Sequence, residues 1–197
     1  MRLAKQGHHD TVLSVSQLKN AVILVGMAGV GKTTIGKYLA KQLGYAFLDL
    51  DHQIVKNTGK SLHHLIAEMG EDAFVALEGN SFRNLDLTQK VVSPGGSIVY
   101  HPELLIQAKD TAVIVFLHDS IKNIRRRISN METRGIVGIG KQSFEQLYNE
   151  RLPLYHSVAD IVVDMHTTSD KVAIANLLNQ LRRCLLAPQK TPQGDTP

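Results

Sequence analysis

Five short runs along the 197-residue chain are almost wholly apolar: "AVILV" from Ala21 to Val25, "YAFLDLD" from Tyr45, "KVVS" from Lys90, "TAVIVFLH" from Thr111 and "DIVVDM" from Asp160. Runs of this length without polar alternation are the pattern of strands covered on both faces in a parallel sheet. Between them the period changes to that of helices. Ile35, Leu39 and Leu43 recur at helical spacing from Thr33 onward, and Gly44 follows as a stop. "QIVKNTG" and "SLHHLIAEMG" form a helical pair, with Ser61 as N-cap and Gly70 as stop, and "EDAFVALEGNSFRNLD" continues as another helix. "PELLIQAK" begins a short helix at its proline, "SIKNIRRRIS" is helical, and "SFEQLYNERLPLYHSVA" is predicted helical as far as Pro153. "SDKVAIANLLNQLRRCLL" closes the series from Ser169, whereas "NMETRGIVGIGKQ" is glycine-rich and lacks any core periodicity. Alternation of strands and helices predicts one three-layer α/β domain over residues 21–186. A polar leader over 1–20 and a proline-rich, polar tail over 187–197 are expected to lie outside it.

Composition narrows the function classes. No segment reaches the roughly 20 consecutive apolar residues that cross a bilayer, and the first residues lack an export signal. One cysteine, Cys184, excludes an internal disulfide and suits a reducing cytoplasm; its place in the last helix makes it a packed residue. The formal charge of +4 comes from basic residues spread along the chain, so small polyanions such as nucleotides explain it better than a nucleic-acid partner. The "RRR" run at 125–127 reads as a solvated helix face with one arginine turned to nucleotide. Paired histidines at 8–9 and 63–64 have no carboxylate or cysteine to complete a metal set, so no zinc site is expected, and His52 reads as a helix-start residue.

The junction after the first strand carries the chemistry. "GMAGVGKT", Gly26 to Thr33, fits G-x-x-x-x-G-K-[ST] between a predicted strand and a predicted helix. Gly26, Gly29 and Gly31 permit a tight loop, so that backbone N–H groups from Gly26, Met27, Ala28, Gly29, Val30, Gly31, Lys32, Thr33 and Thr34 can cradle phosphates. Lys32 should reach the β- and γ-phosphates of a mononucleotide, and Thr33 should place its hydroxyl on Mg²⁺. Asp49 and Asp51 alternate along the end of the second predicted strand. In a parallel sheet that end borders the binding crevice, where one acid can hold Mg²⁺ and the other can take a proton from a hydroxyl.

In order, "GMAGVGKTTIGKYLAKQLGYAFLDLD", "TGKSLHHLIAEMGEDAFVALE", "SPGGS", "TRGIVG" and "ERLPLYHSVADIVVD" resemble the shikimate kinase family, over about Ala21 to Met165. The resemblance implies a P-loop kinase fold with a parallel five-stranded sheet, a substrate-binding helical segment at about 52–84 and a lid at about 129–143. It implies ATP and Mg²⁺ as cofactors, a small carboxylate-bearing alcohol as substrate, no nucleic-acid or membrane partner, and a monomer in the cytoplasm. Matched residue by residue, Lys32, Asp51 and Arg134 are the catalytic set, and Thr33 and Asp49 the metal-side residues. Gly95 and Gly96 face the acceptor, Arg151 grips its carboxylate, and Arg126 (or Arg127) lies against adenine.

Two positions depart from the family pattern. Val75 stands where a second carboxylate-binding arginine is expected, with Glu78 retained, and Ser97 replaces the third glycine of the acceptor loop. A charge-assisted hydrogen bond contributes roughly 1.5–3 kcal/mol, about ten- to hundredfold in binding. Arg83, two helical turns on and roughly 12 Å along the axis, is too distant to substitute. The expectation is therefore a reshaped pocket around Asp51, Val75, Gly96 and Arg151. Shikimate is the leading acceptor and homoserine or another hydroxy acid the alternative. A non-catalytic nucleotide-binding module is the competing class, against which the retained acids and arginines count.

Overall fold

The computed structural model describes residues 19–128, 134–166 and 170–186. Five parallel strands form one sheet in the order β2-β3-β1-β4-β5: β1 (Ala21–Val25), β2 (Ala46–Asp49), β3 (Lys90–Ser93), β4 (Ala112–His118) and β5 (Ile161–Asp164). The central strand β1 is wholly apolar, and β4 is apolar as far as Leu117, because helices cover both faces. Every residue of β1 is fully buried, and β4 is buried from Ala112 to Leu117. The helices are α1 (Lys32–Leu43), α2 (Leu50–Thr58), α3 (Leu62–Met69), α4 (Glu71–Arg83), α5 (Pro102–Ala108), α6 (Ile121–Arg127), α7 (Phe144–Val158) and α8 (Asp170–Leu186). This is the three-layer α/β architecture expected. Among the described residues no helix is long and apolar enough to cross a membrane.

The predicted stops hold for local reasons. Gly44 closes α1 in the left-handed conformation, and the Ser61 hydroxyl accepts the His64 N–H at 3.2 Å to start α3. Three boundaries differ from the sequence reading. The second strand ends at Asp49, whose carboxylate accepts the His52 N–H at 3.2 Å and caps α2. Asp51 therefore sits in the first turn of a helix and does not alternate with Asp49 along a strand. Helix α7 runs through Pro153 to Val158. A proline there removes one backbone bond, but Tyr155 and Val158 beyond it are at most 1% exposed, and their burial carries the helix onward.

The leader's last residues belong to the fold: the Asn20 N–H donates to the Thr111 carbonyl at 2.9 Å, and Lys19 lies 3.6 Å from Asp160. The rest of the leader, the proposed tail, residues 129–133 of the lid and Ser169 lie outside the described residues. The one cysteine, Cys184, is partly buried on α8 against the core, as expected.

Candidate active site

The glycine loop joins the fully buried β1 to α1. Gly26, Gly29 and Gly31 take φ values of +141°, +82° and +109°, which side chains rarely adopt. At Gly26 a Cβ would also lie 2.6 Å from the Leu117 carbonyl oxygen of the neighbouring strand. Gly31 occupies the N-cap of α1 and offers no capping side chain, so the first N–H groups of that helix are open to an anion. The Lys32 ammonium folds back on the loop, donating to the Gly26 carbonyl at 2.8 Å and the Met27 carbonyl at 3.2 Å. Burial pulls its pKa down to about 8, against the opposing pull of Asp51.

Around the loop opens a cleft of about 270 Å³, lined by Ala28, Gly29, Gly31, Lys32, Thr33 and Thr34, with Asp49, Asp51, Arg127 and Arg134 among its other walls. Gly26, Met27 and Val30 serve the loop differently. The two carbonyls hold Lys32, while the Met27 and Val30 side chains are buried in the core. The Thr33 hydroxyl donates to Asp49 at 2.8 Å. That pair brings a hydroxyl and a carboxylate oxygen together, the hard oxygen set that Mg²⁺ accepts. Asp49 thus caps α2 with one oxygen and meets Thr33 with the other.

A second, smaller cavity of about 30 Å³ lies on the other side of Asp51, walled by Gly95, Gly96, Phe74, Leu62, Arg151 and the segment Arg134–Val137, among others. The two cavities share Ala28, Asp51, Gly96 and Arg134. Burial raises the Asp51 carboxyl to about 6, with Asp49 adding to the rise and Lys32 and Arg134 opposing it. Gly95 threads between two acids: a Cβ there would fall 2.2 Å from a Glu78 oxygen and 2.8 Å from an Asp51 oxygen. Only glycine fits.

Arg151 is 1% exposed. Its Nε donates to the Tyr100 hydroxyl at 3.1 Å, one terminal nitrogen donates to the Val137 carbonyl at 2.9 Å, and the guanidinium stands 5.0 Å from the Tyr100 ring centre. The Tyr155 hydroxyl, one turn on, donates to the Gly96 carbonyl at 2.8 Å. The lid segment is docked: the Gly138 N–H donates to Glu71 at 2.6 Å, and Lys141 pairs with the same carboxylate at 2.8 Å.

Several sequence-derived assignments shift. Arg126 is exposed and lies off the cleft wall; Arg127 takes that place, held at 2.6 Å by the fully buried Asp119. Val75 is not among the residues lining the smaller cavity. Its carbonyl accepts from His101 at 2.9 Å, and its helix neighbour Phe74 forms the wall. Ser97 lines the smaller cavity, but its hydroxyl is engaged there. It donates to Glu78 at 2.5 Å. Arg83 lines a separate hollow at the opposite end of the sheet with Leu87 and Thr111, so it does not replace the missing arginine.

Glu78 is fully buried and, among the described residues, one of its oxygens has no hydrogen-bond partner. Burial and the nearby Asp51 raise its carboxyl to about 7, with Ser97 and Arg151 opposing. Sequence reasoning gave Glu78 and Ser97 no common role and missed Tyr100 and Tyr155. Tyr155 could have been found, because four residues from Arg151 it shares that face of α7.

The sequence profile of the shikimate kinase family matches residues 28–182. Among similar proteins, a shikimate kinase of Nostoc punctiforme is 37% identical over 169 residues, covering 84% of this chain and 92% of the relative. One of Nitrosomonas europaea is 31% identical over 165 residues, covering 82% and 78%. Among solved structures, the shikimate kinase of Acinetobacter baumannii in complex with shikimate superimposes with a TM-score of 0.70 at 26% identity, over 90% of this chain and 98% of that one. The enzyme of Aquifex aeolicus gives 0.70 at 25% identity, over 84% and 98%.

Proposed function

The chain belongs to the shikimate kinase family, and from that premise we propose that it transfers the γ-phosphoryl group of ATP to a hydroxyl of shikimate, giving shikimate 3-phosphate. The observation that carries the proposal is the junction of the two cavities at Asp51, Gly96 and Arg134. A donor phosphate on the glycine loop and an acceptor beside Arg151 would meet there, next to Asp51. Transfer then needs little beyond positioning and charge.

Asp51 takes or orients the acceptor proton, Lys32 and Arg134 stabilise the charge on the migrating group, and Arg151 binds the acceptor carboxylate. Thr33 and Asp49 would hold Mg²⁺, which when bound neutralises phosphate charge. A cavity of about 30 Å³ has room for about one water. Acceptor binding therefore requires the wall from Gly135 to Val137 to lift from Leu62 and close again, a step that also excludes water from the phosphoryl group.

The alternative of a different alcohol rested on Val75 and Ser97 together. Ser97 is engaged by Glu78, which leaves the absent arginine as its only support. ADP release with MgATP should be measured with shikimate, then with homoserine and a panel of hydroxy acids. Turnover of shikimate is expected; turnover of another alcohol alone would reassign the acceptor, and none with any would support a nucleotide-binding module.

With Arg151 the one arginine assigned to the acceptor carboxylate, Arg151→Met should raise the shikimate KM by roughly 10- to 100-fold and change kcat less. Steady-state kinetics check this, and an unchanged KM would remove Arg151 from the acceptor site. The pH profile is a second check. With the Asp51 carboxyl at about 6 and the Lys32 amine at about 8, kcat/KM should fall on the acid side as Asp51 gains a proton and on the alkaline side as Lys32 loses one. Lys32→Arg should move only the alkaline limb upward.

A further inference from the structure

The parallel strands β4 and β5 are paired so that His118 stands opposite Asp164, and the Met165 N–H donates to the His118 carbonyl at 2.8 Å. This register fixes two strand ends side by side and brings His166 against them. One donor atom from each of His118, Asp164 and His166 lies within 4.8 Å of the others. The contacts are His118 Nδ1 to Asp164 Oδ1 at 3.8 Å, and His166 Nδ1 against the same oxygen. None of the three lines either cavity of the active site.

The hydrogen bonds around His118 suit one tautomer. The Tyr148 hydroxyl has one proton, and it lies 3.1 Å from the Asp119 carbonyl, which can only accept. The same hydroxyl lies 2.9 Å from His118 Nε2; with its own proton given to the Asp119 carbonyl it accepts there, and Nε2 carries the hydrogen. Nδ1 is left with a lone pair facing the Asp164 carboxylate. Two electron-pair donors facing each other are stable with a proton or a metal cation between them, and the convergence of a second imidazole on the same carboxylate oxygen suits the metal. A hydroxyl that holds the remote ring nitrogen is also the outer support that ligating histidines commonly have.

We propose that His118, Asp164 and His166 form a binding site for a borderline divalent cation of the Zn²⁺ class at the C-terminal ends of β4 and β5. Two imidazoles and one carboxylate select Zn²⁺, Co²⁺ or Ni²⁺ over Mg²⁺, and leave a fourth position for water. Tetrahedral coordination with ligand bonds of about 2.0–2.2 Å puts the donors roughly 3.4 Å apart. The spacing observed reaches this by rotation of the half-exposed His166 and Asp164 side chains.

The test is competition between the full, untagged chain and a chromophoric chelator for Zn²⁺, without nucleotide. The wild type should hold Zn²⁺ at this site, and His166→Ala and Asp164→Asn should each weaken that binding by roughly tenfold or more. His64→Ala removes a histidine 3.8 Å from Glu68 on the exposed face of α3 and should leave the affinity unchanged. Visible absorption of the Co²⁺ form should disappear in His166→Ala while thermal melting of that variant stays normal. Equal Zn²⁺ affinity in the wild type and both site variants would overturn the proposal, as would loss of binding in His64→Ala alone.

Discussion

Lys32→Ala is expected to lower kcat/KM by on the order of 10³-fold while the melting temperature holds or rises. The amine is the one lysine at the loop, and its bonds to the Gly26 and Met27 carbonyls place it at the cleft that Asp51 also lines. Charge that develops on a migrating phosphoryl group is stabilised most where water is scarce, and the depressed pKa of about 8 reports that scarcity. The same number sets the sign of the stability effect. A lysine whose folded pKa lies below its unfolded value opposes folding at pH 7, and that opposition fades as pH rises past about 8. Alanine removes the buried charge, leaving only two loop carbonyls to be satisfied by water. Steady-state kinetics and a thermal melt on one preparation measure both effects. Activity within tenfold of wild type would remove Lys32 from the chemistry, and a collapsed melt would make its role structural.

The sheet and the glycine loop were legible because each follows from short-range constraints. Fully apolar runs need two covered faces, and three glycines at fixed offsets leave few uses for the loop they form. The acids were legible as a pair but not in their placement, since capping of α2 by Asp49 ends β2 two residues early. The choice between Arg126 and Arg127 depends on the phase of a seven-residue helix. Burial of Ile124 and the pull of Asp119 set that phase, and neither is visible from the "RRR" run. Ser97 looked like an intrusion into the acceptor pocket, because its partner Glu78 lies nineteen residues away on another helix. The histidine cluster escaped for the same reason. Neighbouring histidines were weighed, whereas the set that converges is assembled by the register of two strands separated by α6, the lid and α7.

Asp51→Asn should cost on the order of 10²–10⁴-fold in kcat if the carboxylate serves as general base, and the variant should be the more stable protein at neutral pH. The folded carboxyl, at about 6, lies above its ordinary value of 3.8, so the folded state holds this proton more tightly than the unfolded chain does. Its stabilising contribution is complete below 3.8 and is lost as pH rises through about 6, so at pH 7 the ionised form works against folding. Asparagine stands in for the protonated acid. Because Asp51 keeps some contact with solvent, the gain is discounted to about 1–2 kcal/mol, a few degrees in melting temperature. It should shrink towards zero near pH 4, where the wild type is itself largely protonated. Melts at pH 7 and pH 4 separate this from a structural acid, whose removal would destabilise at pH 7. Glu78 sharpens the argument, because its buried carboxyl and that of the half-buried Asp51, flanking Gly95, resist ionising together. With Asp51 neutralised, the Glu78 carboxyl should titrate lower than about 7, and the stability gain should include relief of that repulsion. An acid kept beside another at such a cost in folding is explained by proton transfer at the junction of the two cavities.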